Sequence, residues 1–137
     1  MIYVLDSSFV CAQVIPDEKN PNVNKMYAKI KQDDEKYVPQ LFWYEMTNIF
    51  NNLMRRNRYS HEILLKFFPL LDAMHITCDY TTGTKYSIKL LSLCNEYNLS
   101  SYDAAYLELA ERRKAILCTM DEKLRAAAKK SGLAVLN

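Results

Sequence analysis

Ile2-Tyr3-Val4-Leu5-Asp6-Ser7-Ser8 decides the fold class. Four consecutive apolar, β-forming residues with no polar alternation read as a strand buried on both faces, and the run stops at an acid and two hydroxyls. Further short runs share this character: Tyr37-Val38 before Pro39, His75-Ile76-Thr77-Cys78, Ala115-Ile116-Leu117-Cys118 and Leu133-Ala134-Val135-Leu136. Between them lie segments with helical spacing of apolar residues, at about 22–34, 41–57, 60–72, 84–97, 101–113 and 121–131. Pro39 closes the second strand, Ser60 and Ser100 or Ser101 serve as N-caps, and Gly132 stands where a helix end wants a left-handed residue. Strands that alternate with helices pair in parallel and carry helices on both faces. The expectation is one α/β domain over residues 1–137, a three-layer α/β/α sandwich around a short, mostly parallel five-stranded sheet.

Composition narrows the chemistry. The chain has 137 residues, 50% hydrophobic and 25% charged, enough to bury a sizeable core without disulfides or metal staples. Gly83 and Gly132 are its only glycines, which excludes a Walker loop and a G-x-G-x-x-G fingerprint. Cys11, Cys78, Cys94 and Cys118 never fall in C-x-x-C spacing, and only His61 and His75 could join them, so a structural zinc site is not expected. The cysteines read as reduced and mostly buried, in a cytoplasmic protein. No apolar run approaches the ~20 residues of a membrane span, and no basic leader precedes one. A formal charge of +2 is too mild to announce nucleic acid by itself.

The placement of the acids is more telling. In an open parallel sheet, ligands bind beyond the carboxyl ends of the strands, where strand order reverses. Asp6 follows the first strand directly, and Asp121 follows Ala115–Cys118 by way of Thr119-Met120, where it is equally a helix N-cap. Glu45 falls within the stripe Phe42, Ile49, Leu53, and Asp103 within the stripe Leu107, Ala110. Glu108 and Glu111, in contrast, share a polar face with Arg112 and read as solvated. A carboxylate on a core-facing stripe costs several kcal/mol unless something pairs with it. Clustered carboxylates persist only when protons or a multivalent cation neutralise them, and all-oxygen ligands suit Mg2+ or Mn2+ better than Zn2+. Such an ion, sharing its shell with a phosphate, points to phosphoryl chemistry. Ser8 and Thr119 are candidates to orient these carboxylates, and each reads equally as a cap or turn hydroxyl.

At this point the residues resemble a known family. Val4-Leu5-Asp6-Ser7-Ser8 is similar to the opening of the PIN domain, a nuclease fold whose first strand ends in Asp-x-Ser/Thr. Val38-Pro39, Trp43, Glu45 and Asn48 resemble its Pro…Glu-x-x-Asn helix, and Ser101-Tyr102-Asp103-Ala104-Ala105-Tyr106-Leu107 its Tyr-Asp-Ala-x-Tyr-Leu segment. Thr119-Met120-Asp121-Glu122-Lys123-Leu124 resembles its Thr-x-Asp-x-x-Leu motif. A stand-alone domain of this length looks most like the VapC toxins of VapBC toxin–antitoxin modules. The resemblance implies an endoribonuclease dependent on Mg2+ or Mn2+ that cuts structured RNA such as tRNA or rRNA, commonly a homodimer, held in check by a small antitoxin. It also implies that Asp6, Glu45, Asp103 and Asp121 are the catalytic metal ligands, supported by Ser8, Asn48 and Thr119. Many relatives carry a further acid two residues beyond the last aspartate; this chain has Lys123 there, so the resemblance does not extend to a second metal position.

An acidic pocket repels RNA, so cations must hold the backbone around it. Arg55, Arg56 and Arg58, Arg112 and Arg113 with Lys114, and Lys123 with the basic series to Lys130 are the candidates, each also readable as a solvated helix face. Leu41-Phe42-Trp43-Tyr44, with the apolar side of the 60–72 helix, is a candidate antitoxin groove, dimer contact or plain core. Two rival readings remain. A receiver-type phosphoacceptor would use Asp6 with Asp79 closing a strand, but lacks the paired acids and the Lys-Pro it needs. A non-catalytic PIN-like module would bind RNA or protein without cutting.

Overall fold

The computed structural model describes all residues, 1–137. Four parallel strands form the sheet, β1 (Ile2–Leu5), β2 (Glu35–Pro39), β3 (Thr77–Asp79) and β4 (Ile116–Cys118), in the order β3-β2-β1-β4. The helices are α1 (Ser7–Val14), α2 (Pro21–Tyr27), α3 (Leu41–Arg55), α4 (His61–Leu65), α5 (Phe68–Ala73), α6 (Thr84–Tyr97), α7 (Ser101–Arg113) and α8 (Glu122–Lys130). No helix is long and apolar enough to cross a membrane.

β1 is central, as its unbroken apolar run requires. Val4 and Leu5 are fully buried, and Val4 stands between Tyr37 of β2 and Leu117 of β4. The chain builds outward from β1 through β2 to β3, then returns to place β4 on the other side of β1. Strand order therefore reverses between β1 and β4, and the crevice at their carboxyl ends is where such sheets bind ligands. α7 packs across β1, β2 and β4 with α6 and α8 beside it, while α1 packs on α2 and α3. Phe9, Phe42, Met46, Tyr106, Leu117 and Leu124 are among the largest side chains of the single core. Cys11 and Cys118 lie inside it, Cys78 and Cys94 are half-buried, and all four are free thiols; burial pushes the Cys11 thiol up to about 12.

Besides the helix expected over 22–34, which ends at Tyr27, three expectations about elements need correction. The sheet has four strands, not five. Leu133–Leu136 makes a single parallel bridge, Val135 to Leu117, with hydrogen bonds from Leu117 N–H to Ala134 and from Leu136 N–H to Leu117, both 2.9 Å. The ladder stops there, with no further backbone bond between the two runs. Ala115 donates back to Ala110 of α7, and the Thr119 side chain bonds to Asp6. Second, the helix expected over 60–72 is two, α4 capped by Ser60 and α5, separated at Lys66–Phe67. Pro69 has no N–H to give Leu65 and its ring collides with that carbonyl, so the break precedes it. Third, α1 was not legible: Phe9, Val10, Cys11, Ala12 and Val14 are all buried, leaving no polar face to mark a helical period. By contrast α6 and α7 occupy the expected ranges, Ser100 caps α7, and Gly132 takes the left-handed conformation after α8 with φ 84°.

Asp79 ends β3 with its carboxylate buried. Arg112 meets it through both terminal nitrogens at 3.0 Å, and Arg113 reaches it at 3.2 Å while its guanidinium stacks 4.1 Å over the Tyr37 ring. Arg112 also holds Glu108 at 2.8 Å, and Glu108 is buried, not a solvated surface acid as its position on the polar stripe implied. This network ties the end of α7 to the edge of the sheet, and it removes Asp79 from any phosphoacceptor role. Burial alone would raise the Asp79 carboxyl, but hydrogen bonds from Arg112, Thr81 and Arg113 outweigh it and hold it well below the usual range. A carboxyl depressed on folding contributes stability that is complete above its unfolded value of ~3.9 and lost as pH falls through the folded one. Asp79→Asn should therefore cost about 2 kcal/mol at pH 7, less than a fully buried pair because Arg112 is 36% exposed. In urea melts the gap between variant and wild type should narrow only below pH ~4; a gap independent of pH down to 2 would contradict the assignment.

Candidate active site

Asp6 leaves β1 with its backbone N–H bonded to the Cys118 carbonyl at 2.9 Å, so the β1–β4 ladder itself delivers it to the crevice. Its Oδ2 accepts two hydroxyls, Ser8 at 2.7 Å and Thr119 at 2.6 Å, and Ser7 lies 3.4 Å from Oδ1. The two hydroxyl oxygens accept in turn: Met120 N–H donates to Ser8 and Asp121 N–H to Thr119, each at 3.0 Å. Ser8 and Thr119 thus have their lone pairs committed to backbone and their protons committed to Asp6. Both candidate supporting hydroxyls sit on the carboxylate.

Glu45 enters from the second turn of α3, half-buried, and accepts the Tyr106 hydroxyl at 2.5 Å. Tyr106 is fully buried on α7, one turn beyond Asp103. Its phenol is pushed far above its ordinary value by burial and by the Asp6 and Glu45 charges, so it stays a proton donor. Tyr106 stands i+3 from Asp103, the sequence signal that both face the crevice. Asp103 sits in the first turn of α7, half-buried, after the Ser100 cap. Asp121 is exposed and caps α8, its Oδ1 accepting Leu124 N–H at 2.8 Å, which leaves Oδ2 for other use.

The electrostatics show that these acids share one field. Burial raises the Asp6 carboxyl, its hydrogen bonds with Thr119, Ser8 and Ser7 lower it, and the Asp121 charge raises it again. Burial raises Glu45 and Asp103 too, with Asp6 and Asp103 adding to the first, and Asp121 and Asp6 to the second. No Lys or Arg forms an ion pair with any of the four; Lys123 eases Asp103 from a distance. The donors are all oxygen, which fits a hard divalent cation. As the side chains stand, no three of them close on a common point at ligating distance. Un-neutralised carboxylates hold one another apart, and one oxygen of Asp121 is committed to its cap.

The remaining candidates fall elsewhere. Asn48 is exposed, bonds to none of the four acids, and lines the groove between α3 and α4–α5. Arg55 lies ten residues, ~15 Å of helix, beyond Glu45, and Arg58 pairs with Asp17 at 2.8 Å. Arg112 and Arg113 are engaged in the Asp79 network. Of the proposed backbone-binding cations, Lys123 stands near Asp103, exposed in the first turn of α8, and Arg125 donates to the Thr119 carbonyl at 2.7 Å.

A family model for the PIN domain matches residues 3–130. The chain belongs to the PIN domain family, whose members are generally nucleases. No curated protein matches it. Among solved structures it resembles PAE2754 from Pyrobaculum aerophilum, with a TM-score of 0.68 at 21% identity over 93% of this chain and 79% of that one. It also resembles VapBC2 from Rickettsia felis bound to a DNA fragment from their promoter, with a TM-score of 0.67 at 14% identity over 100% and 98% of the two chains. A third is FitAcB from Neisseria gonorrhoeae, with a TM-score of 0.61 at 18% identity over 100% and 97%. At these identities the likeness is one of fold.

The charge frustration has a measurable consequence. Asp6→Asn keeps one oxygen to accept Ser8 and Thr119 and removes a buried charge from the field of Glu45 and Asp103. In EDTA the variant should melt a few degrees above wild type, since about 1 kcal/mol moves a domain of this size by roughly 3 °C. A lower melting temperature by calorimetry would mean that the ionised Asp6 stabilises the fold.

Proposed function

We propose that this PIN-domain protein is a divalent-metal-dependent endoribonuclease, the toxin of a type II toxin–antitoxin pair acting on structured RNA such as tRNA or rRNA. The observation that carries the reading is the set of four mutually repelling carboxylates, without a cationic partner, at the switch point of the sheet. Asp6, Glu45, Asp103 and Asp121 would hold Mg2+ or Mn2+. When bound, such an ion supplies charge stabilisation at the scissile phosphate and a more acidic attacking water.

The chain's own residues do the positioning. Ser8 and Thr119 lock the Asp6 carboxylate in one orientation, and Tyr106 does the same for Glu45. The Asp121 cap leaves one oxygen directed away from its helix. Lys123, exposed near Asp103, offers a cation to an incoming backbone phosphate. Because water and not a ribose 2′-hydroxyl attacks, the products carry 5′-phosphate and 3′-hydroxyl ends.

A groove of about 840 Å3 runs between α3 and α4–α5, lined by Trp43, Phe50, Leu64 and Phe68, with Met54 and Leu65 exposed at its edge. An antitoxin segment with an apolar helical face fits it, and the fold likeness to VapBC2 and FitAcB supports such a partner. The protein is proposed to act in the cytoplasm as a homodimer.

Purified protein free of any partner, incubated with total tRNA and rRNA, should give discrete fragments with Mg2+ or Mn2+ and none with EDTA. Asp103→Asn should lower the rate at least 100-fold, the loss expected when a group that stabilises transition-state charge is removed. Products ending in 2′,3′-cyclic phosphate would contradict the mechanism, and metal-independent cleavage would contradict the site.

A further inference from the structure

A second cavity, of about 440 Å3, opens where the first turns of α3, α6 and α7 meet, and it shares Tyr44 with the groove between α3 and α4–α5. Tyr44, Tyr86 and Tyr102 line it, each from the first turns of a different helix, α3, α6 and α7. Gln40, Thr81 and Thr82 add an amide and two hydroxyls. Pro39, at the end of β2, also lines it, and β2 lies one strand spacing, ~4.8 Å, from the strand that carries Asp6. Tyr44 and Tyr102 immediately precede Glu45 and Asp103 in sequence.

Tyr44 and Tyr102 are 75% and 65% exposed, and none of the three phenols has a hydrogen-bond partner in the chain. Core packing therefore does not account for Tyr44 and Tyr102. Their chemistry suits one occupant that the acids would otherwise repel. Backbone phosphates gain little from a carboxylate-rich crevice, so affinity close to it has to come from the bases. An unpaired base offers a π-face that stacks on tyrosine whatever its identity, and edges that an amide and hydroxyls can bond. A cavity of this size accepts one nucleoside.

We propose that the Tyr44–Tyr86–Tyr102 cavity takes an unpaired nucleobase of single-stranded RNA, next to the phosphate that is cut. The proposal rests on the nuclease reading and deepens it: the cut falls in a loop or bulge whose base can leave its stack, and the tyrosines set where.

The test is binding of a fluorescein-labelled, mixed-sequence 12-nucleotide single-stranded RNA, followed by anisotropy with Ca2+ in place of Mg2+ to hold back cleavage. Tyr44→Ala and Tyr102→Ala should each raise Kd about tenfold, as expected when one stacking ring is lost. Tyr102→Phe, which keeps the ring, should stay within twofold of wild type, and sedimentation should give the same mass for every variant. Equal affinity of Tyr102→Ala and wild type would overturn the proposal. So would a fall in mass accompanying weaker binding, which would make the patch a contact with a second copy of the chain. Wild-type protein that binds no RNA would overturn the nuclease reading itself, and this proposal with it.

Discussion

Asp6 organises the crevice through one carboxylate oxygen. The hydroxyls of Ser8 and Thr119 both donate to it, and the same hydroxyls accept the backbone N–H groups of Met120 and Asp121. The loop after β4 is thereby moulded onto the side chain that ends β1, and α8 starts from that loop with Asp121 as its cap. Hydrogen bonds to a charged acceptor contribute about 1.5–3 kcal/mol each, which helps to retain an ionised carboxylate in a buried place. They orient the charge without neutralising it.

The contrast with Asp79 clarifies what that means. Both aspartates end a strand and both are buried. Asp79 is answered by two guanidinium groups, and its carboxyl is driven down. Asp6 is answered only by hydroxyls, and burial, with the Asp121 charge added, drives its carboxyl up. One arrangement stabilises the fold by clamping α7 to the sheet; the other leaves acids facing one another with no basic side chain paired to them. Evolved sites commonly concentrate perturbed carboxyls in this way, and here they concentrate at the β1–β4 switch point.

Most of this was legible in the sequence. The run Ile2–Leu5 and the Ser100 and Gly132 punctuation located the central strand and the limits of α7 and α8, and the helical stripes put Glu45 and Asp103 on half-buried faces. What escaped had physical causes. α1 is buried on nearly every side and so shows no amphipathic period. The fifth strand failed because only the single bridge at Leu117 joins Leu133–Leu136 to β4. Arg112 and Arg113 read as solvated from their helix face alone, since their partner Asp79 lies 33 and 34 residues away in sequence, and Glu108 is buried through Arg112, which Asp79 holds in place. Helical spacing reports which face a residue occupies, not what another element brings to meet it.

The central claim is that the four carboxylates form one cation site. Electron paramagnetic resonance of free Mn2+, titrated with metal-free protein, tests it without any RNA. Wild-type protein should remove Mn2+ from the free signal saturably, with Mg2+ in excess restoring it, and Asp6→Asn/Asp103→Asn should leave the signal unchanged. Equal Mn2+ uptake by the double variant, or none by the wild type, would contradict the account.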